Sequence, residues 1–403
     1  MMNIQPAERM KHVKPSVIRQ FAEAALKPGL ITFANGNPSP ATFPVEKMRK
    51  YYQEALDEKD HDLGPLFRYG AVLGYPPLVE ALKARMTAKY GFDFEQNDLF
   101  IVSGGTQAVD LVSKIWLEKG DGVIVEEPSY ASCYNIFLAY DAKLLGVGID
   151  ETGLDTDAVE ETLKAHPEVK VIYTISSFQN PTGYTAVAEK RKKLYELACR
   201  FDKVILEDDP YTELRFAGES VDPIKSYDTE GRVFYTSSLS KVICPSFRLG
   251  YLVADKRFRQ YLNITKQVTD IHSNTLAQYV AWGILTDSDY EEHIRKAQEE
   301  YRIRAKIITE TLQRTMHPSC RLSAPDGGLF IMLFMPDSVD AVDFTWKGIE
   351  RGVVCVPGSG FVIDGTKPSH SIRMCYSTAP IEDIARGAEI VGKLTWDMIE
   401  GKA

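Results

Sequence analysis

From Leu99 to Val253 short apolar, β-rich runs keep alternating with helix-periodic segments, and few folds accept that order. The runs are Leu99-Phe-Ile-Val102, Val123-Ile-Val125, Val169-Lys-Val-Ile-Tyr-Thr-Ile175, Val204-Ile-Leu206, Val233-Phe-Tyr235 and Leu249 to Val253. Helical stretches such as Thr106 to Leu117 and Ala188 to Phe201 lie between them. Strands joined by crossover helices imply an α/β unit with a mostly parallel sheet flanked by helices. That large unit is expected over residues 46–288. A long, charged, helix-prone stretch from Asp289 to Leu312 then opens a smaller α+β domain, residues 289–403. The first 45 residues, rich in Pro, Gly and Asn around Leu30 to Pro38, read as an arm that packs on the smaller domain or across a dimer.

The chain is long enough for two domains, with 403 residues of which 44% are hydrophobic. Its net charge of −9 leaves no basic field for nucleic acid, and no Lys/Arg run makes a local patch. Met1 to Ser16 has no apolar core segment, and no apolar run approaches the length of a membrane span. A soluble, cytoplasmic protein is therefore expected. The cysteines at 133, 199, 244, 320, 355 and 375 form no C-x-x-C pair, and the histidines do not cluster, so neither a metal site nor a disulfide framework is expected.

Chemistry concentrates at Ser238-Leu-Ser-Lys241, followed seven positions later by Arg248. A lysine forms a Schiff base with a carbonyl only when its amine is neutral, so it needs a site that lowers its pKa. Pyridoxal phosphate offers that carbonyl, and Ser238, Ser240 and Arg248 offer donors for its phosphate. Taken alone the motif is weak, because a lysine after serine is usually solvated. It also spells the S-x-x-K of penicillin-binding proteins, but the companion S-D-N and K-T-G motifs are absent.

Other motifs fall where strands give way to loops or helices, the usual ligand edge of an open parallel sheet. Ser103-Gly-Gly-Thr-Gln107 opens a helix whose first amides, at Gly104, Gly105 and Thr106, can face an anion; an ordinary glycine turn with a Thr cap is the plain alternative. Glu127-Pro-Ser-Tyr130 offers Tyr130 as a face for a pyridine ring, against the alternative of a core tyrosine. Gln179-Asn180-Pro-Thr-Gly183 offers Asn180 to a ring hydroxyl, or only a turn. Glu207-Asp-Asp-Pro-Tyr211 supplies a carboxylate for the pyridine nitrogen and a phenol, or an acidic turn before Pro210. A carboxylate at that nitrogen keeps the ring protonated and electron-withdrawing.

In this order, with Arg248-Leu-Gly-Tyr251, Pro357-Gly-Ser-Gly-Phe361 and Ile372-Arg-Met374, the motifs resemble the fold-type I, class I/II aminotransferases over most of the chain. The spacings Asn180 to Asp208, 28 positions, and Asp208 to Lys241, 33 positions, are similar to the kynurenine/2-aminoadipate branch. The resemblance implies pyridoxal phosphate as cofactor, Lys241 as the Schiff-base lysine and proton shuttle, and Asp208 at the ring nitrogen. It implies Asn180 and Tyr211 at the ring oxygen, Tyr130 stacked on the ring, and Gly105, Thr106, Ser238, Ser240 and Arg248 around the phosphate. Arg373 is then expected to bind the substrate α-carboxylate beside Gly36, and Tyr69 to reach the neighbouring subunit's phosphate in a homodimer. The chain departs from the pattern at Gly104 and Gly105, where many relatives carry a serine, and at Ser371, where Asn is frequent before the arginine.

The expected reaction is ping-pong transfer of an amino group between an L-amino acid, whether acidic, 2-aminoadipate-like or aromatic, and a 2-oxo acid such as 2-oxoglutarate. Two alternatives keep the cofactor: a C–S lyase or decarboxylase, and a non-catalytic regulator. The regulator needs a helix-turn-helix, for which about 45 residues ahead of the large unit are too few. Arg19, in Ser16-Val-Ile-Arg-Gln-Phe21, is read either as a solvated helix arginine or as the cation that meets a substrate's distal carboxylate.

Overall fold

Strands that are apolar at every position need cover on both faces, and this requirement organises the larger part of the molecule. The computed structural model describes the chain except residues 1–4, 14, 16, 25–27, 58–63 and 403, and except the side chains at 18, 19, 22, 24, 64 and 65. Eight strands form one sheet: β1 (Asn97–Val102), β2 (Gly122–Glu127), β3 (Lys143–Asp150), β4 (Gly153–Leu154), β5 (Val169–Thr174), β6 (Val204–Asp208), β7 (Val233–Ser238) and β8 (Gly250–Asp255). Their order is β1-β8-β7-β6-β5-β2-β3-β4. The run β7-β6-β5-β2-β3 is parallel throughout, while β8 and β4 pair antiparallel with their neighbours.

Alternation along these strands divides the core. Phe100, Val102, Val171, Tyr173, Val204 and Leu206 pack with the helix Gly105–Trp116 on one face. Ile172 and Ile205 pack with Leu194, Leu197 and Ala198 of the helix Ala188–Arg200 on the other. The helices at 106–117 and 188–201 thus form within one residue of their sequence reading. The strand β3 was not expected from sequence, because two glycines interrupt it and its side chains are mostly part-exposed. Gly146 has a steric reason: a Cβ there would run into the Glu127 carboxylate on the neighbouring strand.

The helix Tyr290–Thr315, which ends three residues beyond its reading, leads to a second sheet of antiparallel strands in the order Arg321–Leu322, Phe330–Phe334, Ser371–Cys375, Val356–Pro357. Ahead of the large sheet, Ile31–Thr32 pairs in parallel with Val353–Val354. Phe33 continues the contact by donating its amide to Val354 and accepting from the Cys375 amide, each at 2.8 Å. These bonds carry the backbone of residues 34–36 across to the C-terminal ends of β6 and β7, where the functional residues meet.

Candidate active site

A pocket at the carboxyl ends of β5, β6 and β7 is lined by Gly105, Thr106, Tyr130, Ile175, Asn180, Asp208, Pro210, Tyr211, Ser238, Ser240, Lys241 and Arg248. Motifs spread over almost 150 positions of sequence therefore share one cavity, because each follows a strand of the same parallel sheet.

Period-two alternation decides which carboxylate enters it. Val204, Leu206 and Asp208 lie on one face of β6, and Ile205, Glu207 and Asp209 on the other. Asp208 receives the Tyr173 hydroxyl on Oδ2 at 2.9 Å. Burial raises its carboxyl to about 6, against the opposing pull of the Tyr173 hydrogen bond and the Lys241 charge. Asp209 is bonded by Tyr235 at 3.1 Å on the opposite side.

Lys241 ends the short 3-10 turn Leu239–Lys241, capped by the Ser238 side chain accepting from the Ser240 amide. Its Nζ donates to the Gly36 carbonyl at 2.8 Å and lies 5.8 Å from the centre of the Tyr211 ring. Burial lowers its amine to about 8, helped by the Arg373 and Arg248 cations and opposed by Cys375 and Asp208. A buried amine near 8 is neutral in a useful fraction at physiological pH, which is the state a nucleophile needs.

Around the mouth of the helix Gly105–Trp116, Arg248 adopts φ 51° and lays its guanidinium against Gly104, itself at φ 81°. A Cβ on Gly104 would lie 2.5 Å from Arg248 Nη2, so the glycine is a seat for the arginine. No side chain caps this helix, so the Thr cap considered from sequence is not formed. Gln107 instead accepts the Ser103 amide at 2.7 Å. The Ser240 hydroxyl is buried without a hydrogen-bond partner among the described residues.

Arg373, on the second sheet, is 2% exposed. It donates to the Ala34 carbonyl at 2.5 Å and to Asn180 Oδ1 at 3.1 Å, and its guanidinium lies 4.5 Å and 4.9 Å from the centres of the Phe330 and Phe361 rings. Those contacts orient it without an Asn at position 371. Among the described residues no carboxylate pairs with it, and its Nε has no partner.

Gly36 and Arg373 join this site through Lys241 and Asn180 without lining the pocket, and Tyr69 does not line it. Tyr69 is 85% exposed, its ring edge-on to His272 at 6.1 Å. The Arg19 side chain lies outside the described residues. Tyr173, Phe330 and the Ala34 carbonyl belong to no motif, and Phe361 closes the Pro357-Gly-Ser-Gly-Phe361 motif without a role assigned from sequence. Among the described residues no group of metal-ligating side chains occurs, and no helix is long and apolar enough to cross a membrane.

The family model described as aminotransferase class I and II matches residues 28–391. An aromatic-amino-acid aminotransferase of Thermococcus litoralis is 34% identical over 94% of this chain and 91% of its own. A 2-aminoadipate transaminase of Thermus thermophilus is 30% identical over 94% of each chain. The solved kynurenine aminotransferase of Pyrococcus horikoshii, in complex with pyridoxamine phosphate and kynurenine, superposes with a TM-score of 0.92 at 32% identity over 97% of both chains.

Proposed function

The chain belongs to the class I and II aminotransferase family and is a pyridoxal-phosphate-dependent transaminase, and on that footing we propose that it exchanges amino groups between acidic, 2-aminoadipate-like or aromatic L-amino acids and 2-oxoglutarate. The observation that carries this reading is Arg373: a buried guanidinium with no carboxylate partner among the described residues, joined through Asn180 to the pocket of Lys241 and Asp208. Such a cation is costly unless an anion meets it, and an amino acid's α-carboxylate fits its planar donors.

The donor set also fits the cofactor. The unpartnered Ser240 hydroxyl, the Gly105 and Thr106 amides at a helix N-terminus, and Arg248 on its glycine seat suit a phosphate dianion. Ser238 belongs to the same set. Asp208 suits the ring nitrogen, Asn180 and Tyr211 the ring oxygen, and Tyr130 one face of the ring. When bound, pyridoxal phosphate supplies an aldehyde carbon and an electron-poor ring. Lys241 supplies the amine and moves a proton at the substrate Cα. Arg373 and the Gly36 segment hold the α-carboxylate, fixing the Cα–H bond relative to Lys241. A lyase, a decarboxylase or a regulator would use the same cofactor contacts; regulators occur among the relatives at 27% identity, whereas those named above, at 30–34%, are transaminases.

Arg19 belongs to this proposal as the cation for a distal carboxylate, following the resemblance to the 2-aminoadipate branch. Arg19→Ala is expected to lose kcat/KM for glutamate and 2-aminoadipate by about ten- to a hundredfold, the value of a charge-assisted pair, while phenylalanine is nearly spared. Equal losses for glutamate and phenylalanine, or no loss for either, would remove Arg19 from the substrate site.

The proposal extends to a homodimer with shared sites, and to an arm (1–45), a cofactor-binding unit (46–288) and a smaller unit (289–403) in a cytoplasmic protein. Its support is an apolar strip. Tyr261, Ile264 and Val268 share one face of the helix Arg259–Thr269 and are exposed, Val268 by 75%, with Ile271, Phe67 and Tyr69 also exposed. Leu262 and Lys266 of the same helix are fully buried. If Tyr69 serves the partner's phosphate, mixing inactive Tyr69→Ala and Lys241→Ala subunits should restore roughly a quarter of wild-type activity by random pairing. A fully active monomer at assay concentration would contradict the shared site.

A further inference from the structure

The Asp208 carboxylate accepts one direct hydrogen bond among the described residues, and it comes from Tyr173. Tyr173 sits on β5, opposite Leu206 in the β5/β6 register and on the same sheet face as Leu206 and Asp208. Its phenol is fully buried, with Cys133 against the hydroxyl. The bond occupies Oδ2, and Oδ1 turns toward Gly105, on the pocket side. A free carboxylate on a strand end can rotate and present either oxygen. This one is pinned.

We propose that Tyr173 is a positioning residue that holds Asp208 by Oδ2 so that Oδ1 presents its charge to the cofactor's ring nitrogen. The inference rests on the reading of Asp208 as that nitrogen's partner. Tyr173 has the properties the role needs. Burial and the neighbouring Asp208 hold its phenol well above the ordinary range, so it stays a donor at every working pH and acts on Asp208 only as an acceptor. The other titratable groups around Asp208 are Lys241 from the turn after β7, Cys133 and Tyr130 from the helix Ala131–Ala139 and its cap, and Tyr211 from the loop after β6. Lys241 is the one cation in that set, and its amine is the group committed to the aldehyde. With the lysine so engaged, Tyr173 is the remaining anchor of the carboxylate.

The fold supplies its own control. On the opposite face of the sheet Tyr235 donates to Asp209 Oδ2 at 3.1 Å, another buried phenol on a buried carboxylate, turned away from the pocket. Tyr173→Phe and Tyr235→Phe each remove one buried hydroxyl.

The test is calorimetric titration of cofactor-free protein with pyridoxamine phosphate and with its 1-deaza analogue, which lacks the ring nitrogen. Tyr173→Phe is expected to weaken pyridoxamine phosphate about tenfold, as for a hydrogen bond to a charged group, and the analogue by less than about twofold. Tyr235→Phe is expected to leave the ratio of the two affinities at the wild-type value. Equal weakening of both ligands by Tyr173→Phe, no weakening of either, or the same selective loss in Tyr235→Phe would overturn the inference. Asp208→Asn separates it from the reading beneath. If that variant keeps the wild-type preference for the ring nitrogen, the assignment of Asp208 falls, and Tyr173 with it. If Asp208→Asn loses the preference while Tyr173→Phe keeps it, only the role of Tyr173 falls.

Discussion

Lys241→Ala is expected to be a folded protein that binds pyridoxal phosphate without a covalent link and does not transaminate. Two properties of the site lead there. The amine is held toward the pocket by the Gly36 carbonyl at 2.8 Å, and burial among cations lowers it to about 8, so it is both aimed and nucleophilic. Among the described residues no other lysine lines the pocket. Loss of a positioned proton carrier alone costs on the order of 10²–10⁴ in rate, and here the covalent link is lost as well. The fold survives because an alanine in the turn keeps the Ser238 cap, which bonds the backbone of Ser240. Borohydride reduction followed by mass measurement of the variant with added cofactor, and its rate with glutamate, check this. A variant turning over at the wild-type rate would remove Lys241 from the mechanism.

Asp208→Ala carries the second large effect: a half-reaction slowed on the order of 10²–10³-fold, the range for losing one preorganised electrostatic partner, with weaker cofactor retention. A carboxyl raised to about 6 by burial favours the folded chain when protonated and opposes it once ionised, so at neutral pH its removal takes away no stabilising charge. Tyr173 is left with an unpaired hydroxyl, which costs about 1–3 kcal/mol. Asp209→Ala should do the reverse, altering melting temperature while the half-reaction stays within several-fold of wild type. Its carboxyl, raised to about 7 by burial and by Glu207, faces away from the pocket. Stopped-flow absorbance and thermal melts on both variants decide the matter. Rate loss in Asp209→Ala alone would mean that the wrong carboxylate had been chosen.

Sequence and structure meet at this pair of aspartates. Glu207-Asp-Asp-Pro-Tyr211 shows a carboxylate at a strand end, but three acids in a row leave the choice open until strand alternation assigns Asp208 to the face of Leu206 and Tyr173. The motifs just after strands were legible as one cluster, because the parallel sheet brings those ends to one edge, where their residues line a single pocket. The groups that were not legible act from elsewhere. Tyr173 sits inside a strand and reads as core. Ala34 contributes a carbonyl, which leaves no side-chain signal, and Gly36, named only through the family resemblance, gives its carbonyl to Lys241. Gly104 and Gly105, which look like lost phosphate donors, gain a reason only where Arg248 settles on Gly104. The apolar strip of Tyr261, Ile264 and Val268 was hidden because an exposed helix face and a buried one share the same periodicity.

The most direct measurement of the whole account is a single-turnover panel. Yellow holoenzyme is mixed with glutamate, 2-aminoadipate, kynurenine or phenylalanine in the absence of any oxo acid, and absorbance is followed while products are counted. The account expects loss of the yellow form with one 2-oxo acid per active site, no ammonia and no carbon dioxide, and full return of the colour when 2-oxoglutarate is added. Continued turnover without an acceptor, with ammonia or carbon dioxide released and the yellow form regenerated on its own, would contradict it.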